Sequence, residues 1–96
     1  MSTYLFLYKG YTTPTPEIGA AWSAWFADHG HRMVDSGNPM SQGAEVTRDA
    51  VETIAPGLES FTGYSILTAE SMDEAVEIAK TNPMITSVVV YELAKM

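Results

Sequence analysis

The chain has 96 residues, 46% of them hydrophobic and 18% charged, with a formal net charge of −7. That is the length of one domain and the composition of an ordinary soluble globular chain, neither disordered nor membranous. The basic residues Lys9, Arg32, Arg48, Lys80 and Lys95 are scattered, which disfavours nucleic acid and anionic lipid as partners, and the absence of cysteine excludes disulfides, thiolate chemistry and iron–sulfur clusters.

Tyr4-Leu5-Phe6-Leu7-Tyr8 reads as a first strand, rich in aromatics and stopped by Lys9-Gly10. No base precedes it, so no signal peptide is predicted. No apolar run reaches the roughly 20 residues that span a membrane. Together with the lack of cysteine, this fits a cytoplasmic protein with no membrane partner. After the loop Tyr11-Thr12-Thr13-Pro14, Thr15-Pro16-Glu17 opens a helix: threonine as N-cap, proline at the first helical position, an acid in the first turn. The helix is predicted to run to His29, with Gly30 as a left-handed stop. Ile18, Trp22, Trp25 and His29 share one stripe, flanked by Ala21 and Phe26.

Arg32-Met33-Val34-Asp35 is predicted as a short second strand closed by the turn Ser36-Gly37-Asn38-Pro39. Gly43 to Ile54 alternates weakly and reads as an extended, peripheral, hairpin-like arm, followed by a loop to Ser60. Tyr64-Ser65-Ile66-Leu67-Thr68 is a third strand. Ser71 and Glu74 have the spacing of a capping box, and Asn82-Pro83 ends the helix that it opens. Met72, Ala75, Val76 and Ala79 are the predicted sheet-facing stripe of that helix. A final strand runs from Ser87 to Leu93.

Alternation along these strands divides the sheet into two faces. Leu5 and Leu7 oppose Tyr4, Phe6 and Tyr8. Tyr64 and Ile66 oppose Leu67, and Val88 and Val90 oppose Val89, Tyr91 and Leu93. Both faces are apolar, and two helices cover only one of them. Wetting a large apolar side chain forfeits roughly 1.5–3 kcal/mol, and such a patch normally marks an interface. The simplest cover is the same face of a second copy, so a homodimer is expected, sheet against sheet.

The order and patterns resemble the YCII-related family, in the branch named for an Asp-Gly-Pro-Phe motif. The resemblance lies in Tyr4-Leu5-Phe6-Leu7-Tyr8, Met33-Val34-Asp35-Ser36-Gly37, Glu45-Val46-Thr47-Arg48-Asp49, Gly63-Tyr64-Ser65-Ile66-Leu67, Ser71-Met72-Asp73-Glu74-Ala75 and Val88-Val89-Val90-Tyr91. It implies one α+β domain over residues 1–96, a ferredoxin-like βαββαβ sandwich that pairs into a dimeric α/β barrel. The naming motif is not retained: Ala55-Pro56-Gly57-Leu58 stands in its place. The histidine proposed for a catalytic pair in the namesake members falls near Ala20 and the aspartate on Asn82, before Pro83, and asparagine cannot serve as a carboxylate base. The family's wider fold relatives include cofactor-free oxygenases, isomerases and dechlorinase-like enzymes, and fold does not select among them.

Among the residues themselves, His29 is the candidate general base, since imidazole titrates near neutrality; the competing role is to cap the last carbonyls of its helix. Asp35 is its candidate catalytic partner, or else a turn residue bonding the backbone of Ser36-Gly37. His31 shares an extended face with Asp35 and is a candidate ligand contact. Phe6, Tyr8, Trp22 and Trp25 are candidates to line an apolar pocket for an aromatic ligand, against the plainer role of core. No metal and no cofactor is expected. The function expected is binding of a small apolar or aromatic molecule by a homodimer. The alternatives are a cofactor-independent enzyme of oxygenase or isomerase type and a protein-interaction module.

Overall fold

The computed structural model describes residues 1–95. Strand β1 (Ser2–Lys9) leads into helix α1 (Pro16–His29), a 3-10 turn (Gly30–Arg32) and strand β2 (Met33–Asp35). A hairpin of β3 (Gly43–Val46) and β4 (Val51–Ile54) follows, then β5 (Phe61–Ala69), α2 (Met72–Lys80) and β6 (Ser87–Glu92). The main sheet has the order β2-β5-β1-β6 and is antiparallel throughout. Two β-α-β units interleaved in this way make a ferredoxin-like α+β sandwich. The β3–β4 hairpin forms a separate two-stranded sheet, every residue of it exposed. No helix among the described residues is long and apolar enough to cross a membrane.

The helices start where their caps say. Thr15 Oγ1 accepts from the Ile18 N–H at 3.2 Å, with Pro16 at the first helical position. Ser71 Oγ accepts from the Glu74 N–H at 3.1 Å. The second half of that capping box is not made: the Glu74 carboxylate accepts from the Glu70 N–H at 2.9 Å and from Arg32 Nη1 at 3.1 Å. Arg32, the last residue of the 3-10 turn, thus holds the glutamate in place of the Ser71 N–H.

Two local expectations give way. Gly30 keeps a right-handed φ of −57°, so α1 does not end in a left-handed stop; it tightens into the 3-10 turn, closed by the Met33 N–H on the Gly30 carbonyl. The buried stripe of α2 is Ala75, Ile78 and Ala79, whereas Met72 and Val76 are about 40% exposed. Two alanines let this short helix lie close to the sheet, and the larger residues fall to its margins.

Tyr4, Phe6 and Tyr8 of β1 and Leu67 and Ala69 of β5 face the helices, where they pack with Trp25, Ala75, Ile78 and Ala79 in one core. The opposite face carries Leu5 and Leu7, in register with Ile66 and Tyr64 on one side and with Tyr91 and Val89 on the other. Neither helix lies on it, and Tyr91 is 58% exposed.

Candidate functional site

At the Tyr8 end of the sheet the chain leaves a cleft of about 580 Å³. One wall is aromatic. Trp22 meets the Tyr8 ring edge-on with centroids 4.8 Å apart, and Phe26, one turn along α1, lies 5.9 Å from Trp22. The i, i+4 spacing of Trp22 and Phe26 places both on the same helix face. The other wall is the Ser36-Gly37-Asn38-Pro39 turn with Thr62, Gly63 and Tyr64 of β5. No carboxylate, histidine, lysine or arginine lines the cleft among the described residues.

The turn is held from both ends. Asp35 Oδ1 accepts from the Gly37 N–H at 2.8 Å, and Asp35 Oδ2 accepts from the Tyr64 hydroxyl at 3.4 Å. Gly37 has φ +86°, and a Cβ there would run into the Tyr64 backbone carbonyl. Only glycine lets the turn lie flat on β5. The Met40 N–H then donates to the Thr62 carbonyl at 2.9 Å.

From Tyr8, which lines the cleft, a hydroxyl chain runs inward to the buried Ser65. The Tyr8 hydroxyl donates to Ser65 Oγ at 2.8 Å, and Ser65 Oγ donates to the Ser36 carbonyl at 2.7 Å. Burial pushes the Tyr8 phenol up to about 12, only partly offset by the bond to Ser65. Tyr8 therefore stays neutral at any ordinary pH.

The other residues singled out from the sequence lie elsewhere. Phe6 and Trp25 are buried in the core, with Trp25 centred 6.4 Å from Phe6 and 6.2 Å from Tyr8, so they support the aromatic wall from below. His29 points to the end of α2 rather than to the sheet, and its ring lies 5.0 Å from that of Trp25. The Thr81 hydroxyl donates to the Ile78 carbonyl at 2.7 Å, so its oxygen accepts from Trp25 Nε1 at 3.0 Å and from His29 Nε2 at 3.3 Å. That sets the Nε2–H tautomer and leaves a buried Nδ1 with no partner among the described residues. Burial first, and the nearby Arg32 second, hold the His29 imidazole below its ordinary range. His31 is exposed in the 3-10 turn. His29 and Asp35 share no partner: one is bonded to the end of α2, the other to Gly37 and Tyr64. No three potential metal ligands cluster among the described residues.

Ser36, Thr62 and Ser65 were not singled out from the sequence. Ser65 carried a signal: it is a small polar residue among the core-facing positions of its strand, and a buried polar group implies a partner. Asn82 is 6% exposed, and its side-chain amide has no hydrogen-bond partner among the described residues.

No protein-family profile and no curated protein matches the chain. Among solved structures it is similar to 5-chloro-2-hydroxyhydroquinone dehydrochlorinase (TftG) from Burkholderia phenoliruptrix AC1100, in complex with 2,5-dihydroxybenzoquinone. The identity is 16% and the TM-score 0.58, over 96% of this chain and 93% of that one. A likeness at that identity establishes the shared α+β fold.

Proposed function

We propose that the chain is a YCII-related domain that forms a homodimeric α/β barrel and binds a small, uncharged aromatic molecule in the cleft beside Tyr8 and Trp22. The observation that carries this reading is the cleft itself: about 580 Å³, with an aromatic wall and no ionised side chain. Apolar concave sites with a few fixed polar groups are the usual form of a small-molecule site. A charged ligand would find no counter-ion there. The fold neighbour's ligand, 2,5-dihydroxybenzoquinone, is a single planar ring, the shape of molecule that this wall suits.

Binding is favoured over acid–base catalysis because the cleft lining offers no group that titrates near neutrality, and His29 lies away from it at the end of α2. Titration with 2-naphthol, followed by calorimetry and by the Trp22 indole cross-peak in NMR, tests the reading. The cross-peak is expected to move, and Trp22→Ala to weaken binding about tenfold or more, as for a central aromatic contact. An unmoved cross-peak, or equal binding by a folded Trp22→Ala variant, removes it.

A further inference from the structure

The direction of the hydroxyl chain fixes what Tyr8 can offer to a molecule in the cleft. A backbone carbonyl only accepts, so the single Ser65 proton is committed to the Ser36 carbonyl. Ser65 Oγ must then accept from Tyr8, and the Tyr8 proton is committed in turn. What Tyr8 has left to offer is a lone pair. Thr62 is arranged in the same way, since its hydroxyl donates to the Gly10 carbonyl at 2.8 Å. Two hydroxyls of the cleft lining thus have their protons turned into the protein. Ser65 is fully buried, so water cannot substitute for it and release Tyr8.

We propose that the bound molecule carries a hydroxyl or N–H donor on its aromatic ring and donates it to Tyr8 Oη, so that neutral phenols and their nitrogen analogues are the ligand class. This rests on the cleft being the binding site. Tyr8 suits the role because its ring is held edge-on by Trp22 and its oxygen is held by Ser65, so the acceptor is fixed before the ligand arrives. The phenol stays protonated at neutral pH, and the acceptor is therefore a neutral oxygen that tolerates an uncharged ligand.

The test compares 2-naphthol with 2-methoxynaphthalene, which share ring and shape while only the first can donate. One hydrogen bond to a fixed acceptor corresponds to about five- to tenfold in affinity. The wild-type protein is expected to prefer 2-naphthol by about that factor. Tyr8→Phe keeps the ring and removes the acceptor, so the preference for 2-naphthol over 2-methoxynaphthalene is expected to fall to within about twofold. Ser65→Ala gives an independent check. It frees the Tyr8 proton to point into the cleft, so 2-methoxynaphthalene is expected to gain affinity, which loss of packing alone would not produce. Equal binding of the two probes by the wild type overturns the Tyr8 assignment and leaves the cleft as the site. So does a preference retained in Tyr8→Phe, or 2-methoxynaphthalene affinity unchanged in Ser65→Ala. Absence of binding by both probes overturns the cleft reading together with the assignment.

Discussion

Tyr8 joins the core, the aromatic wall and the hydroxyl chain, and its ionisation couples all three to pH. In the unfolded chain a phenol titrates near 10; in the fold, burial pushes it up to about 12. The folded state therefore holds this proton more tightly than the unfolded state. The resulting stability is complete below about pH 10 and is lost as pH rises towards 12. Melting temperature followed from pH 9 to 12 is expected to fall steeply for the wild type and less steeply for Tyr8→Phe. Parallel curves would mean that Tyr8 is not held neutral by burial. His29 behaves oppositely: its depressed imidazole contributes stability above its ordinary range, lost as pH falls below it.

Among the elements, the turn after β2 does most to shape the cleft, because it is the wall opposite the helix. Its closeness to β5 depends on Gly37, where φ is positive and a Cβ would meet backbone rather than a movable side chain. Gly37→Ala is expected to cost about 2–4 kcal/mol in a urea melt, combining backbone strain with displacement of the turn. Gly57→Ala is the control: nothing lies within 4 Å of its Cβ position and φ is not positive, so it should change stability by less than about 0.5 kcal/mol. Similar effects from the two substitutions would show that the turn is not seated on β5 as described. The joint between the helices is built differently, from one threonine: Thr81 ties Trp25 and His29 of α1 to the last turn of α2.

For the whole molecule, the open sheet face is an apolar surface that neither helix covers. Leu5, Leu7, Ile66 and Val89 are only half-buried there, beside an exposed Tyr91. In the proposed homodimer this face is the interface. Val89 sits opposite Leu7 near its middle. Val89→Glu is expected to convert a sedimenting dimer into a monomer at micromolar concentration with little change in circular dichroism, because the charge stays hydrated in the single chain. A wild-type protein that sediments as a monomer under those conditions removes the dimer. The exposed β3–β4 hairpin presents Val46 and Val51 at about 70% exposure, and nothing else in the fold explains them.

The sequence by itself determined what is local. Thr15-Pro16 and Ser71 set the helix starts, Asn82-Pro83 ended α2, and alternation assigned Tyr4, Phe6 and Tyr8 to one face and Leu5 and Leu7 to the other. These signals act through backbone bonds over a few residues or through a two-residue period, so they can be read without knowing the partners. Tertiary structure alone decided which candidate residues meet. Tyr8 reaches Ser65 across 57 positions of chain; Glu74 leaves its cap for Arg32 across 42; His29 turns to Thr81 across 52. Such contacts depend on strand register and on where a helix crosses the sheet, and a shift of one residue would exchange every pairing. Trp22 and Tyr8 were therefore legible as aromatics suited to a pocket, but the direction of the Tyr8 proton was not.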